Sequence, residues 1–192
     1  MNSYAPFNKP VLHRPVELAL SMVFNFHHLK VDYDNGRKWT RKPFDFAELK
    51  KLLTRWAVRM QEGGGWNAVF WNNHDQPRAL DRFGDVVNYR VESATMLATA
   101  IHLLRGTPYV YMGEEIGMTD PEYTSIDDYV DVEAINAHQA LLELGVTPVE
   151  AFAIVHSKAR DNARTPMQWT PDRNAGFSTA EDSNAFYRRN LA

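Results

Sequence analysis

Apolar positions along the chain alternate between two rhythms. Residues 21–27 (Ser-Met-Val-Phe-Asn-Phe-His), 68–71 and 109–111 are short apolar runs of strand length. Between the first two, Phe46, Leu49, Leu53, Trp56, Ala57 and Met60 recur at helical spacing and predict an amphipathic helix. Asp45 stands where a cap belongs, with Glu48 three residues on, and Gly63-Gly64-Gly65 stops the pattern. Between the second and third runs, Ala94, Leu97, Ala98, Ile101 and Leu104 define another helix. Arg105 suits its last turn, and Gly106 suits a left-handed residue after it.

Beyond the third run the rhythm lapses into a polar loop over residues 118–129. Two helices are predicted after it, near 131–144 and 148–158, separated by Gly145. Thr147, Pro148 and Glu150 supply the second with a cap, a first-turn proline and an N3 acid. Strands alternating with helices imply parallel pairing through helical crossovers. Periodicity leaves open whether the sheet is open or belongs to a barrel.

The net charge of −3 offers no electrostatic footprint for nucleic acid or an anionic membrane surface. With no cysteine, disulfides, thiolate metal sites and cysteine nucleophiles are excluded, which fits a cytoplasmic protein. No apolar run approaches the ~20 residues of a membrane span, and residues 1–16 lack a signal-peptide core. Neither nucleic acid nor membrane is an expected partner. His27 and His28 are adjacent with no third ligand nearby, so no metal and no cofactor is expected.

Three stretches carry chemistry. In Val69-Phe70-Trp71-Asn72-Asn73-His74-Asp75-Gln76-Pro77-Arg78 an apolar run ends abruptly in groups able to bond a polar ligand. The others are Gly106-Thr107-Pro108-Tyr109-Val110-Tyr111-Met112-Gly113-Glu114-Glu115 and Arg160-Asp161-Asn162-Ala163-Arg164-Thr165-Pro166-Met167-Gln168-Trp169. Taken alone, Asp75 reads as a turn-forming or capping residue before it reads as catalytic. Together the three stretches resemble the alpha-amylase family of glycoside hydrolases, and within it the trehalose-6-phosphate hydrolase and oligo-1,6-glucosidase group.

The resemblance implies an α/β fold, a partial TIM (β/α)8 barrel comprising about the sixth to eighth strands with their helices. A whole barrel needs eight strands and roughly 250 residues. Residues 17–180 are expected to be this C-terminal part of the catalytic barrel, with a divergent extension at 1–16 and a divergent tail at 181–192. By the same resemblance Asp75 is the transition-state-stabilising carboxylate, neither nucleophile nor general acid, and His74 binds the same sugar. Asn73 is expected to orient the loop. Arg164, favoured over Arg160, would donate to hydroxyls of a terminal glucose. Arg78 stays divided between a loop-fixing ion pair and a substrate contact. Glu114 and Glu115 are expected to position their loop.

The form His27-His28-Leu29-Lys30 resembles phosphotrehalose-cleaving members, since a sugar phosphate needs a cation near the pocket mouth. Lys30 is the candidate, with His28 assisting; the alternative is a solvated surface lysine. The implied substrate is a sugar or sugar phosphate, cleaved with retention by two carboxylates about 5–5.5 Å apart. In the family these lie in Gly-Phe-Arg-x-Asp and Gly-Glu motifs. The first has no counterpart here, and Gly113-Glu114 belongs to the last strand instead. The chain alone is therefore expected to be inactive, with a complementary barrel segment as a partner. An oligo-1,6-glucosidase or dextran glucosidase fragment and a non-catalytic amylase-like remnant stand as alternatives.

Overall fold

The computed structural model describes residues 22–179, so the expected ends at 1–16 and 181–192 lie outside the described residues. Three short strands form one parallel sheet in the order β1 (Val23–Phe24), β2 (Asn67–Val69), β3 (Thr107–Pro108). Val23 pairs with Asn67 and Ala68 with Thr107. Parallel neighbours require crossovers, and the helices supply them: α1 (Phe46–Glu62) joins β1 to β2; α2 (Ala79–Phe83) and α3 (Arg90–His102) join β2 to β3. Asp45 caps α1 by accepting from the Glu48 amide at 3.0 Å. Between sheet and helices lies a core of Leu29, Leu49, Phe70, Trp71, Leu80, Phe83, Leu97 and Ile101. The indole of Trp71 donates to the Leu97 carbonyl at 2.7 Å, tying strand to crossover.

The third strand falls two residues before its expected place. Tyr109 still donates to the Val69 carbonyl at 2.8 Å, but residues 109–111 leave the sheet. Pro108 brings no amide, and β3 is an edge among the described residues, so the ladder has no support beyond it. Helix α3 likewise stops at His102, short of the expected end. Gly106 serves a close approach instead of a helix cap: a Cβ there would stand 2.6 Å from the Asn67 carbonyl oxygen. Arg105 donates to the Gly65 carbonyl at 3.0 Å and lies over the Trp66 ring. The five-residue α2 was invisible to periodicity because it spans little more than one turn.

After β3 the chain builds a separate lobe. Helices α4 (Val132–Glu143) and α5 (Pro148–Lys158) pack as a hairpin over Ala134, Ala137, Leu141, Ala151, Ile154 and Val155. Asp131 and Thr147 cap them through the amides of Glu133 and Glu150, and Gly145 takes φ +83° in the turn between. A buried cluster joins lobe to sheet: the Asp32 carboxylate accepts from Arg82 at 2.7 Å and from the Lys158 ammonium. Burial works to raise the Asp32 pKa, but the two cations outweigh it and hold the carboxyl below its usual range.

Candidate active site

The loop after β2 delivers Asp75. Phe70, Trp71 and Asn72 are buried, so the chain leaves the core only at Asn73. Two asparagines then fold the turn. The Asn73 side-chain oxygen accepts from the Asp75 amide at 2.8 Å, in the expected orienting role, and that of Asn72 accepts from the Ala79 amide at 2.6 Å. The Asp75 side chain is left 44% exposed in this loop, with His74 Nε2 3.5 Å from its Oδ2.

The segment following α5, Arg160–Arg164, comes to meet it. Its middle is buried and locked by polar contacts. Asp161 accepts from the amides of Val130 and Asp131 at 3.0 and 2.8 Å. Asn162 donates to the Asp120 carboxylate and the His156 carbonyl at 3.0 and 2.6 Å, and accepts from the Tyr129 hydroxyl. Tyr111 donates to the Ala163 carbonyl at 3.1 Å, so the loop after β3 also grips this segment. The arginines at its two ends converge on one oxygen, Asp75 Oδ1: Arg160 at 3.4 Å and Arg164 at 3.3 Å. Arg164 also donates to the His74 carbonyl at 2.7 Å. The structure thus brings His74, Asp75, Arg160 and Arg164 together. It draws no distinction of reach between the two arginines.

Arg78 lies beneath the site at 1% exposure. Its guanidinium donates to the Met112 carbonyl at 2.6 Å and faces the Tyr111 ring, while its amide donates to Asp120 at 2.7 Å. Among the described residues its guanidinium makes no ion pair, and the side chain is buried under the loop. Glu114 accepts from the Tyr111 amide at 2.6 Å, the loop-positioning contact expected of it. Gly113 permits this turn with φ +91°, where a Cβ would also collide with the Met118 side chain.

His28 also sits differently from its expected place beside a phosphate. It is 4% exposed, its Nε2 is 2.8 Å from the Phe70 carbonyl, and its ring packs against Phe70 and Trp71. Burial lowers its pKa to about 4, so the imidazole is neutral near pH 7 and donates to a backbone carbonyl. Lys30 ends the same 3-10 turn, His27–Lys30, and is exposed.

Several charged groups that fix the site drew no attention in the sequence. Asp131 holds Arg160 through both carboxylate oxygens, and that bonding lowers its pKa. Asp120 bonds Arg78 and Asn162 under the site; burial and the nearby Asp81 carboxylate push it up to about 8. The available signal was an acid at a predicted helix start: a capping carboxylate has a second oxygen to offer. Among the described residues no cluster of three or more metal-ligating side chains occurs.

A half-exposed carboxylate beside an imidazole and two planar cations suits neutral polyhydroxylated ligands, accepting from some hydroxyls and donating to others. The sequence profile for the alpha amylase catalytic domain matches residues 9–189. The chain belongs to the alpha-amylase family. Trehalose-6-phosphate hydrolase from Bacillus subtilis is 55% identical over 165 residues, covering 86% of this chain. Oligo-1,6-glucosidase from Parageobacillus thermoglucosidasius is 51% identical over 85% of the chain. The crystal structure of trehalose-6-phosphate hydrolase from Bacillus licheniformis superposes with a TM-score of 0.80 at 56% identity over 84% of the chain. The chain spans 29% of the length of each of these relatives. In this alpha-amylase piece, β1 to β3 are therefore part of a TIM barrel. Asp75 lies just beyond the C-terminal end of β2, where such barrels place their chemistry.

Proposed function

We propose that this chain is the C-terminal barrel part of a retaining alpha-glucosidase that hydrolyses trehalose 6-phosphate to glucose and glucose 6-phosphate. The observation that carries the proposal is Asp75, held in the loop after β2 beside His74 and met by two arginines. In that role Asp75 grips hydroxyls of the sugar at the scissile bond. Hydrogen bonds that tighten as the ring flattens toward an oxocarbenium ion contribute on the order of several kcal/mol. Arg164 and His74 hold the same sugar. The nucleophile and general acid come from barrel strands outside this chain, so a complementary barrel segment is its partner and the chain alone is inactive. Lys30, exposed at the end of its turn, is the cation for the substrate phosphate. The setting is cytoplasmic, in keeping with the absence of cysteine.

A second reading, an oligo-1,6-glucosidase acting on unphosphorylated glucosides, is favoured by the relative of that name at 51% identity. One experiment separates the two. The chain is assayed for glucose 6-phosphate release from trehalose 6-phosphate, alone and mixed with a separately expressed segment carrying the remaining strands, with isomaltose in parallel. Activity on trehalose 6-phosphate in the mixture, lost in Asp75→Asn and weakened in KM by Lys30→Ala, is expected. Turnover of isomaltose alone would transfer the assignment to the second reading. A folded mixture silent on both would leave a non-catalytic remnant.

A further inference from the structure

We propose that Asp131, the acid that begins α4, is a positioning residue for Asp75, acting through Arg160. This rests on the reading of Asp75 as the sugar-gripping carboxylate. The Arg160 guanidinium is used on two edges. Nε and Nη2 fork onto the two oxygens of Asp131, the second at 3.0 Å, and Nη1 points the other way to Asp75 Oδ1 at 3.4 Å. A planar fork pinned on one edge has its remaining nitrogen fixed in direction. The Asp131 side chain is 6% exposed, against 33% for Arg160 and 44% for Asp75, so the anchor is the buried end of the chain of contacts.

The anchor is itself held by the segment it anchors. Asp161, the residue after Arg160, accepts from the backbone amides of Val130 and Asp131. Neighbouring residues 160 and 161 therefore grip residue 131 twice, once by side chain and once by backbone. Arg164 Nη1 also stands 4.0 Å from Asp131 Oδ2, so both arginines that meet Asp75 lie within the field of one carboxylate. With Oδ1 of Asp75 claimed by two guanidinium groups, Oδ2 is the oxygen turned to His74. The lobe thereby sets the orientation of a carboxylate that belongs to the sheet.

Asp131 also caps α4 by accepting from the Glu133 amide at 3.1 Å, and the test must separate that duty from positioning. Asp131→Asn does so, since asparagine caps as well as aspartate but gives the guanidinium a neutral partner. The first readout is side-chain NMR of the chain itself. In wild type the Arg160 Nε–H is expected as a slowly exchanging resonance. In Asp131→Asn it is expected to exchange at least tenfold faster, with the Asp75 carboxyl carbon shifted. Thr147→Ala, which loosens the same lobe at its other helix, should move neither signal.

The second readout is kinetic, in the mixture with the complementary segment on p-nitrophenyl alpha-glucoside, a substrate that is blind to the phosphate assignment. Asp131→Asn and Arg160→Lys are expected to lower kcat about 10–100-fold, the cost of a misplaced catalytic group, with KM changed less than about threefold. A wild-type Arg160 Nε–H exchanging as fast as in an unfolded peptide, or an Asp75 carbon indifferent to Asp131→Asn, would overturn the proposal. So would an active mixture in which kcat is untouched. If no mixture cleaves any glucoside, the enzymatic assignment fails and the NMR result alone decides the positioning claim.

Discussion

The sheet region and the lobe solve the same problem, burying apolar surface, with different degrees of closure. In the lobe, α4 and α5 cover each other, and each starts on a capping side chain. In the sheet, the core on the helix side is filled, but the strand faces and edges are not. Phe24 is 47% exposed, Tyr109 41% and Val110 53%, and the Phe24 ring touches both the buried Phe70 ring and that of Tyr109. A helical hairpin completes its contacts locally, whereas a barrel strand needs neighbours on both sides and across the interior. The catalytic candidates straddle the two regions: Asp75 and His74 come from the sheet, Arg160 and Arg164 from the end of the lobe.

The sharpest way to break this arrangement is to cut the ionic joint between the regions. Asp32→Ala leaves Arg82 and Lys158 buried without their carboxylate, and a loss of about 3–5 kcal/mol is expected in urea denaturation. Both regions should lose hydrogen-exchange protection together. Ile154→Ala is expected to cost about 2–5 kcal/mol, with faster exchange concentrated in residues 132–158. Equal acceleration in residues 46–62 would show that the lobe has no core of its own.

One source of pH dependence lies on the sheet side. His28 has its folded pKa depressed to about 4 from 6.5, so its stabilising contribution is present above pH 6.5 and is lost as pH falls toward 4. The shift corresponds to at most roughly 3–4 kcal/mol. Comparing urea midpoints of wild type and His28→Asn between pH 7 and 4.5 isolates it: the wild type should lose more over that interval. Parallel curves would mean that the imidazole charges without cost. The smallest effect is expected from Thr147→Ala, about 1 kcal/mol from one lost helix cap, with the sheet unaffected.

What the sequence disclosed follows the same division. Helix α5 falls on its expected residues because its cap, first-turn proline and acid are local signals. The first two strands were legible in position and not in extent, and the third was misplaced, because where a ladder forms depends on neighbours that periodicity does not see; β3 at Thr107–Pro108 is the case in point. Asp75 and Arg164 are candidates through motif resemblance alone. The grip of Asp131 on Arg160 spans 29 positions in sequence and comes from packing the lobe against the loop. His28 misled for a physical reason: its identity suited a phosphate neighbour, while the 3-10 turn aims its ring into the core.

The central claim is that the sheet is an unfinished part of an alpha-amylase barrel while the lobe has a buried core of its own. Hydrogen exchange on the chain, alone and with the segment carrying the remaining strands, tests it directly. Protection should rise at residues 22–26 and 107–112 when that segment is added, and stay constant across 132–158. Edges already protected in the chain alone, or a gain confined to the lobe, would contradict the account.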